Sequence, residues 1–176
     1  MNDLANMGTP GRQSPTDLNT VVRSAATVAR NEWKHVAELV FDLDPSFPPV
    51  PCYRGDISQV LLNLITNAAH AIRDAVGNSG KKGTITLSTR MDGDAAVISV
   101  RDTGTGIPEA TRARIFEPFF TTKKAGEGSG QGLVIARSLI VAKHGGELTF
   151  ETEGGKGTVF TVRLPRRGDP GKQEAT

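Results

Sequence analysis

The chain has 176 residues, of which 37% are hydrophobic and 23% charged, enough for one substantial core and too few for two. Its 21 lysines and arginines against 19 acidic residues leave a net charge of +2, and the cations are dispersed, so no nucleic-acid footprint is visible. A single cysteine, Cys52, excludes an intrachain disulfide and suits a reducing, cytoplasmic compartment. No apolar run approaches the roughly 20 residues of a membrane helix, so direct membrane contact is not expected; any anchor would lie outside this chain.

Residues 1–16 are polar and rich in Gly, Pro and Ser, and 166–176 share that character, so both ends are expected to be tails or cut points around a folded unit at 17–165. Asp17 is placed to cap a helix with apolar positions Leu18, Val21, Val22, Ala25, Val28 and Ala29, closing at Trp33. LVFDL (39–43) reads as a short strand. A Pro-rich connection, 44–53, leads into the strongest helix, opened by Asp56 and ended at the Gly77–Gly80 break. Strands at 84–90 and 95–101 flank MDGD, which has hairpin turn chemistry. A short helix is expected at 109–116. After a glycine-rich stretch, Leu133, Val134, Ala136, Leu139, Ile140 and Ala142 carry another helical period, ended by Gly145 and Gly146. A second hairpin, 147–152 with 158–164, closes the chain. Together these elements predict an α+β fold, a two-layer sandwich with helices on one face of a mixed, mostly antiparallel sheet.

On the central helix, Ile57, Val60, Leu61, Leu64, Ile65, Ala68, Ile72 and Val76 define the buried face. Asn63, Asn67, His70 and Asp74 fall together on another arc. A solvated face is the ordinary reading of such a row. Solvated faces are usually filled by Glu, Lys and Gln, however, whereas two asparagines one turn apart cost helix propensity and offer neutral oxygen donors. One such oxygen, with phosphate oxygens and waters, can complete the shell of Mg²⁺.

The second central strand runs into Asp102, Gly104 and Gly106. A carboxylate there can accept from an exocyclic amine such as that of adenine, and the glycines let a flat ring approach the backbone; a plain turn is the alternative. Phe116, Phe119 and Phe120 form either a core corner or an anchor for a movable loop. Gly126, Gly128, Gly130 and Gly132 alternate directly before a helix, where free backbone N–H groups suit a phosphate; a flexible linker is the alternative. The stretch is neither a Walker A loop nor a dinucleotide fingerprint.

In order and spacing, NLITNAAHAI, DTGTGI, FEPFFTTK and GSGQGL resemble the N, first G, F and second G boxes of the catalytic ATP-binding domain of bacterial sensor histidine kinases. The closing GGKGTVFTVRLP is similar to that family's last hairpin, so the resemblance covers about 17–165. It implies a Bergerat ATP-binding fold, with ATP between the helices under a lid at about 117–130. It also implies that Asn67 coordinates Mg²⁺, with Asn63 one turn before it beside the phosphates and His70 at a phosphate-contacting position. Asp102 would read the adenine amine, Gly104 and Gly106 would give the base room, Ile107 would pack near it, and Thr158 would join through water. Lys123 and the amides around Gly128, Gly130 and Gly132 would hold the β- and γ-phosphates, and Thr121, Thr122, Ser129, Gln131 and Leu133 complete the implied nucleotide-binding set. Asn63, Asn67 and Lys123 are the implied catalytic residues.

Gyrase-like and MutL-like ATPases of the same fold carry a Glu one turn before the metal-binding Asn, where this chain has Asn63. An amide is no general base. The implied activity is therefore transfer of the ATP γ-phosphate to a histidine on a separate dimerisation domain of the same kinase, for relay to a response regulator, with positioning and charge neutralisation as the catalytic means. His35, His70 and His144 lack the context of that family's phospho-accepting helix, so autophosphorylation within the chain is not expected, and the isolated domain is expected to be a monomer. Gln131 replaces the commoner Leu of the second G box. A nucleotide-binding regulatory module without turnover and a clamp-type ATPase are the alternatives.

Overall fold

The computed structural model describes residues 13–118 and 131–166. The chain starts with a three-residue strand, β1 (Ser14–Thr16), then helices α1 (Leu18–Val28) and α2 (Arg30–Trp33) and strand β2 (Ala37–Asp42). As expected, Asp17 caps α1, its carboxylate accepting from the N–H groups of Asn19 and Thr20. The helical segment then breaks at Ala29, and the Trp33 indole donates to the Ala26 carbonyl at 2.9 Å, tying α2 to α1.

Two short strands correct the expected layout. Ser14–Thr16 was expected inside a tail and 50–52 inside a connection, yet β1 pairs antiparallel with β3 (Val50–Cys52) in a two-stranded sheet of its own. Prolines 15 and 51 face each other in that ladder. Proline is tolerated there because the ribbon is all edge and lacks the second neighbour that would need its missing N–H.

The main sheet has five strands in the order β2-β4-β5-β7-β6, where β4 is Gly83–Asp92, β5 Ala95–Asp102, β6 Glu147–Glu153 and β7 Gly157–Pro165. Only β2 and β4 run parallel; the other pairs are antiparallel. Alternation along each strand sends Ile85, Leu87, Ile98, Val100, Phe160 and Val162 to one side. Thr86, Ser88, Ser99 and Thr161 go to the other side, which no helix among the described residues covers.

The apolar side is roofed by α1, by α3 (Arg54–Val76) and by α4 (Gly132–Ser138). α4 runs on into a π-helical turn, Leu139–Lys143. α3 begins at Arg54, two residues ahead of the expected start, so Asp56 lies in its first turn and favours the positive helix end. Ile57, Val60, Leu61, Leu64, Ile65 and Ile72 are wholly buried, which matches the apolar face read from the spacing. The expected helix at 109–116 is a 3₁₀ segment, Glu109–Arg114. No helix among the described residues is long and apolar enough to cross a membrane.

The start of β7 presses against the end of β5. Gly157 has φ +127°, and a side chain there would collide with the Asp102 carbonyl. Gly157→Ala is expected to cost about 2 kcal/mol or more, from backbone strain and the clash. Gly154→Ala, where a Cβ meets nothing within 4 Å, should stay within about 0.5 kcal/mol of the parent. Urea midpoints of the two variants test the contrast.

Candidate functional site

The last residue of β5 is the one buried carboxyl among the described residues. Asp102 is 5% exposed, and burial pushes its carboxyl up from 3.8 to about 6, against the N–H groups of Gly104 and Thr158, which favour the charged form. The Gly104 N–H donates to Oδ1 at 2.8 Å. Thr158 is directly opposite in the β5–β7 ladder and is itself buried. Sheet geometry, rather than a flexible loop, thus fixes a largely desolvated acceptor at the mouth of the helix layer.

The loop after Asp102 is tied on three sides. Thr103 exchanges bonds with Thr84 on β4, its backbone N–H donating to the Thr84 carbonyl and its hydroxyl accepting from the Thr84 N–H. The Thr105 N–H donates to the Ala71 carbonyl of α3, and the Gly155 N–H to the Thr105 carbonyl. A Cβ on Gly104 would stand 2.6 Å from Ala71 backbone, and one on Gly106 2.5 Å from the Glu153 carbonyl. These glycines thus have a reason in the scaffold itself. The space their missing side chains leave is taken by α3 and by the β6–β7 turn, so they bring the loop close to its own scaffold.

Ile107 packs on the core, and its N–H donates to the Thr152 hydroxyl at 2.8 Å. That hydroxyl lies 2.9 Å from the Thr158 hydroxyl. Asp102, Gly104, Gly106, Ile107 and Thr158 therefore come together as one cluster. Thr152 and Gly157, which the sequence reading did not single out, hold it in place. Thr152 alternates in phase with the inward residues of β6, a signal too weak to separate it from any strand threonine.

The second cluster lies where α3 meets α4. Asn63 Nδ2 donates to the Gly132 carbonyl at 3.0 Å, and its Oδ1 accepts from Gln59 at 2.8 Å. Gln131 immediately precedes α4 and offers it no side-chain cap, while Leu133 packs on the core. Asn67 and His70 follow along α3, both half-buried, and His70 Nε2 is 3.8 Å from Glu32 on α2. Asp74, last in the row, is exposed beside Arg73. Thr121, Thr122, Lys123, Gly126, Gly128, Ser129 and Gly130, with Phe119 and Phe120, lie outside the described residues. Phe116 stacks edge-on with Phe150 at 6.1 Å, under the Arg137 guanidinium at 5.5 Å.

Adenine fits the first cluster on chemistry: a buried carboxylate whose desolvation is costly gains an N–H partner from an exocyclic amine. No group of three His, Cys, Asp or Glu suited to a metal occurs among the described residues. The carboxamide oxygen of Asn67 on α3, with phosphate oxygens and water, is a donor set that fits Mg²⁺. A concavity of about 690 Å³ on the open sheet face, with Ser88, Ser99 and Arg101 in its lining, lies on the far side from both clusters.

Residues 53–168 match the family described as Histidine kinase-, DNA gyrase B-, and HSP90-like ATPase. The chain belongs to this family. The sensor histidine kinase ZraS of Klebsiella oxytoca is 37% identical over 154 residues, spanning 86% of this chain and 31% of its own length. The sensor protein TdiS of Thauera aromatica is 37% identical over 158 residues, spanning 89% and 28%. The chain thus spans less than a third of these curated relatives. The nucleotide-free catalytic domain of histidine kinase ThkA is 32% identical, with a TM-score of 0.73 over 87% of this chain and 97% of that one. ThkA is also known in complex with the response regulator protein TrrA, at 28% identity and TM-score 0.69 over 93% of this chain and 45% of that one. Within the family, the chain is the catalytic ATP-binding domain of a sensor histidine kinase.

The raised Asp102 carboxyl has a thermodynamic signature. Between its unfolded value of 3.8 and about 6, the folded chain holds a proton that the unfolded chain has released, so the stability this supplies is complete below the window and is lost as pH rises through it. Other carboxylates contribute equally to the parent and to Asp102→Asn. Urea unfolding at about pH 4 and about pH 7.5 should therefore show the difference between the two proteins moving in favour of Asp102→Asn by about 2–3 kcal/mol at the higher pH.

Proposed function

We propose that this domain binds Mg-ATP between α3, the Asp102 loop and α4, and passes the γ-phosphate to a histidine on a separate dimerisation domain of the same kinase. The observation that carries this reading is Asn63. At the place where a hydrolytic relative would need a carboxylate to polarise water, the chain has an amide already committed to the Gly132 carbonyl and to Gln59. It can neither take a proton nor activate water. The attacking group must then be a nucleophile in its own right, and a neutral imidazole nitrogen is one.

In the proposed reaction Asp102 accepts from the adenine amine while Ile107 and Thr158 border the base. Asn67 would hold Mg²⁺, which when bound would supply neutralisation of phosphate charge. The backbone N–H groups opening α4 face the terminal phosphates, and Lys123 and the rest of the glycine-rich segment join from outside the described residues. The acceptor's ring nitrogen forms the new bond to the γ-phosphorus as the bond to the bridging oxygen breaks, and ADP leaves with that electron pair. The protein's part is alignment and charge stabilisation.

The likeness to ThkA supports a response regulator as the next acceptor of the phosphate. A buried Cys52 with its thiol pushed up by burial supports a reducing, cytoplasmic setting. We take the working unit as 14–165, so that it includes β1.

Mixing the chain with radiolabelled Mg-ATP and the histidine-bearing fragment of its own kinase tests the reading. Acid-labile label should appear on that fragment alone, and Asn67→Ala should lower its rate by about 100-fold or more. Asp102→Ala should abolish saturable binding of a non-hydrolysable analogue. Steady phosphate release that depends on Asn63, without labelled fragment, would establish a clamp-type ATPase instead; binding with neither would leave a regulatory module.

A further inference from the structure

The far end of α4 is held by a histidine that the nucleotide reading does not use. His144 is 2% exposed, and both of its ring nitrogens are engaged. Nδ1 is 2.7 Å from the Leu139 carbonyl, and Nε2 is 3.1 Å from the Tyr53 backbone nitrogen. A carbonyl has no hydrogen to give and a backbone N–H has no lone pair to offer. The ring is therefore neutral, with its proton on Nδ1 and a lone pair on Nε2.

The two partners belong to different elements. Leu139 opens the π-helical turn that ends α4, and Tyr53 is the N-cap residue of α3, which has no side-chain cap. One imidazole thus bridges the end of α4 to the start of the helix that carries Asn63 and Asn67, while satisfying a backbone N–H that the helix leaves unpaired. The Tyr53 ring packs edge-on against it at 5.3 Å. Lys143 closes the same seam, 2.7 Å from the Asp56 carboxylate and 4.8 Å from the Tyr53 ring centroid. At the opposite end of α4, Asn63 holds Gly132. α4 is pinned to α3 at both ends.

We propose that His144 is a pH-sensitive positioning residue for the nucleotide site. In its neutral form it fixes α4 on α3, and protonation at Nε2 releases that end. An imidazolium turns a second N–H toward the Tyr53 N–H, so the acceptor is lost and two donors face each other. The titratable and charged groups on the elements around the ring are Cys52 on β3, Tyr53, Arg54 and Asp56 opening α3, Lys143 on its own turn, Glu147 on β6 and Arg163 on β7. Among the described residues Asp56 is engaged by Lys143 and no carboxylate pairs with the ring, so no acceptor is placed to receive a second ring N–H where Tyr53 stands.

The inference rests on the nucleotide reading only for its last readout. Long-range ¹⁵N NMR of the imidazole in the nucleotide-free chain, at about pH 7.5, should show the Nδ1–H tautomer. An Nε2–H tautomer or an imidazolium would overturn the proposal whatever the domain binds. His144→Gln can supply a carbonyl oxygen to the Tyr53 N–H and does not titrate. Between about pH 7.5 and about pH 5.5 its thermal midpoint should fall less than that of the parent, with the Asp102 contribution common to both. Equal slopes would also overturn it.

For a non-hydrolysable Mg-ATP analogue, His144→Gln should bind within about twofold of the parent at the higher pH and lose about tenfold less affinity on acidification. His144→Phe, which fills the space without the bonds, should bind about tenfold more weakly at both. Parent-like affinity and pH profile in His144→Phe would reduce the residue to packing and sink the proposal. Absence of binding by all three proteins would count against the nucleotide reading, while the tautomer and the thermal slopes still decide the role of His144.

Discussion

The loop after β5 comes so near to α3 that the backbone at Gly104 leaves no room for a side chain against Ala71, and the rest of the site follows from that approach. It lets the Thr105 N–H reach a carbonyl of α3, which ties the loop to the same helix that bears Asn63 and Asn67. A base held at Asp102 and phosphates held along α3, as the proposed function has them, would thereby be referred to one rigid element. Were the loop to stand off by even the width of a methyl group, the two halves of a nucleotide site would be joined only through the sheet.

The cost of this arrangement falls on Asp102. A carboxyl pushed up to about 6 by burial is a group that the fold would hold more cheaply in its protonated form, and two backbone N–H groups offset only part of the desolvation. Such unspent hydrogen-bonding capacity in a buried place is common where a ligand completes the network. The β-ladder opposite, with Thr158 buried and Thr152 beside it, keeps the carboxylate from relaxing toward solvent. On the proposed reading, the ionised carboxylate would select an amine over a carbonyl at that edge of a base, because an acceptor facing another acceptor would leave both unpaired.

The sequence carries much of this in plain view, since its signals are periodic or chemically odd. The apolar face of α3, the Asp17 cap and the two hairpins were readable because their spacing admits few other folds. The asparagine pair stood out because helices rarely use that residue on a solvated face. What escaped the reading is non-local. Nothing in VPC or SPT announces a strand pair, because three-residue ribbons containing proline lack both alternation and propensity. The glycines of the Asp102 loop were legible as necessary, while their scaffold contacts were not: Gly104 lies against Ala71, 33 positions before it, and Gly106 against Glu153, 47 positions after it. Glu32 beside His70 was invisible for the same cause.

Asn63 shows why a change of one functional group can redirect a whole chemistry without disturbing the scaffold. A glutamate at that position could act on water, but its ionised side chain has no N–H to give the Gly132 carbonyl. The amide does the opposite: it donates to the first residue of α4 and accepts from Gln59, and so serves geometry instead of proton transfer. A site that has given up its base loses hydrolysis first, since water is a poor nucleophile without one, while transfer to a neutral imidazole is affected least. The amide that cannot serve as a base is thus also the group that holds the start of α4, where the proposed reading puts the phosphates. On the proposed reading, protection of ATP from wasteful hydrolysis and alignment of ATP for transfer would then arise from the same side chain.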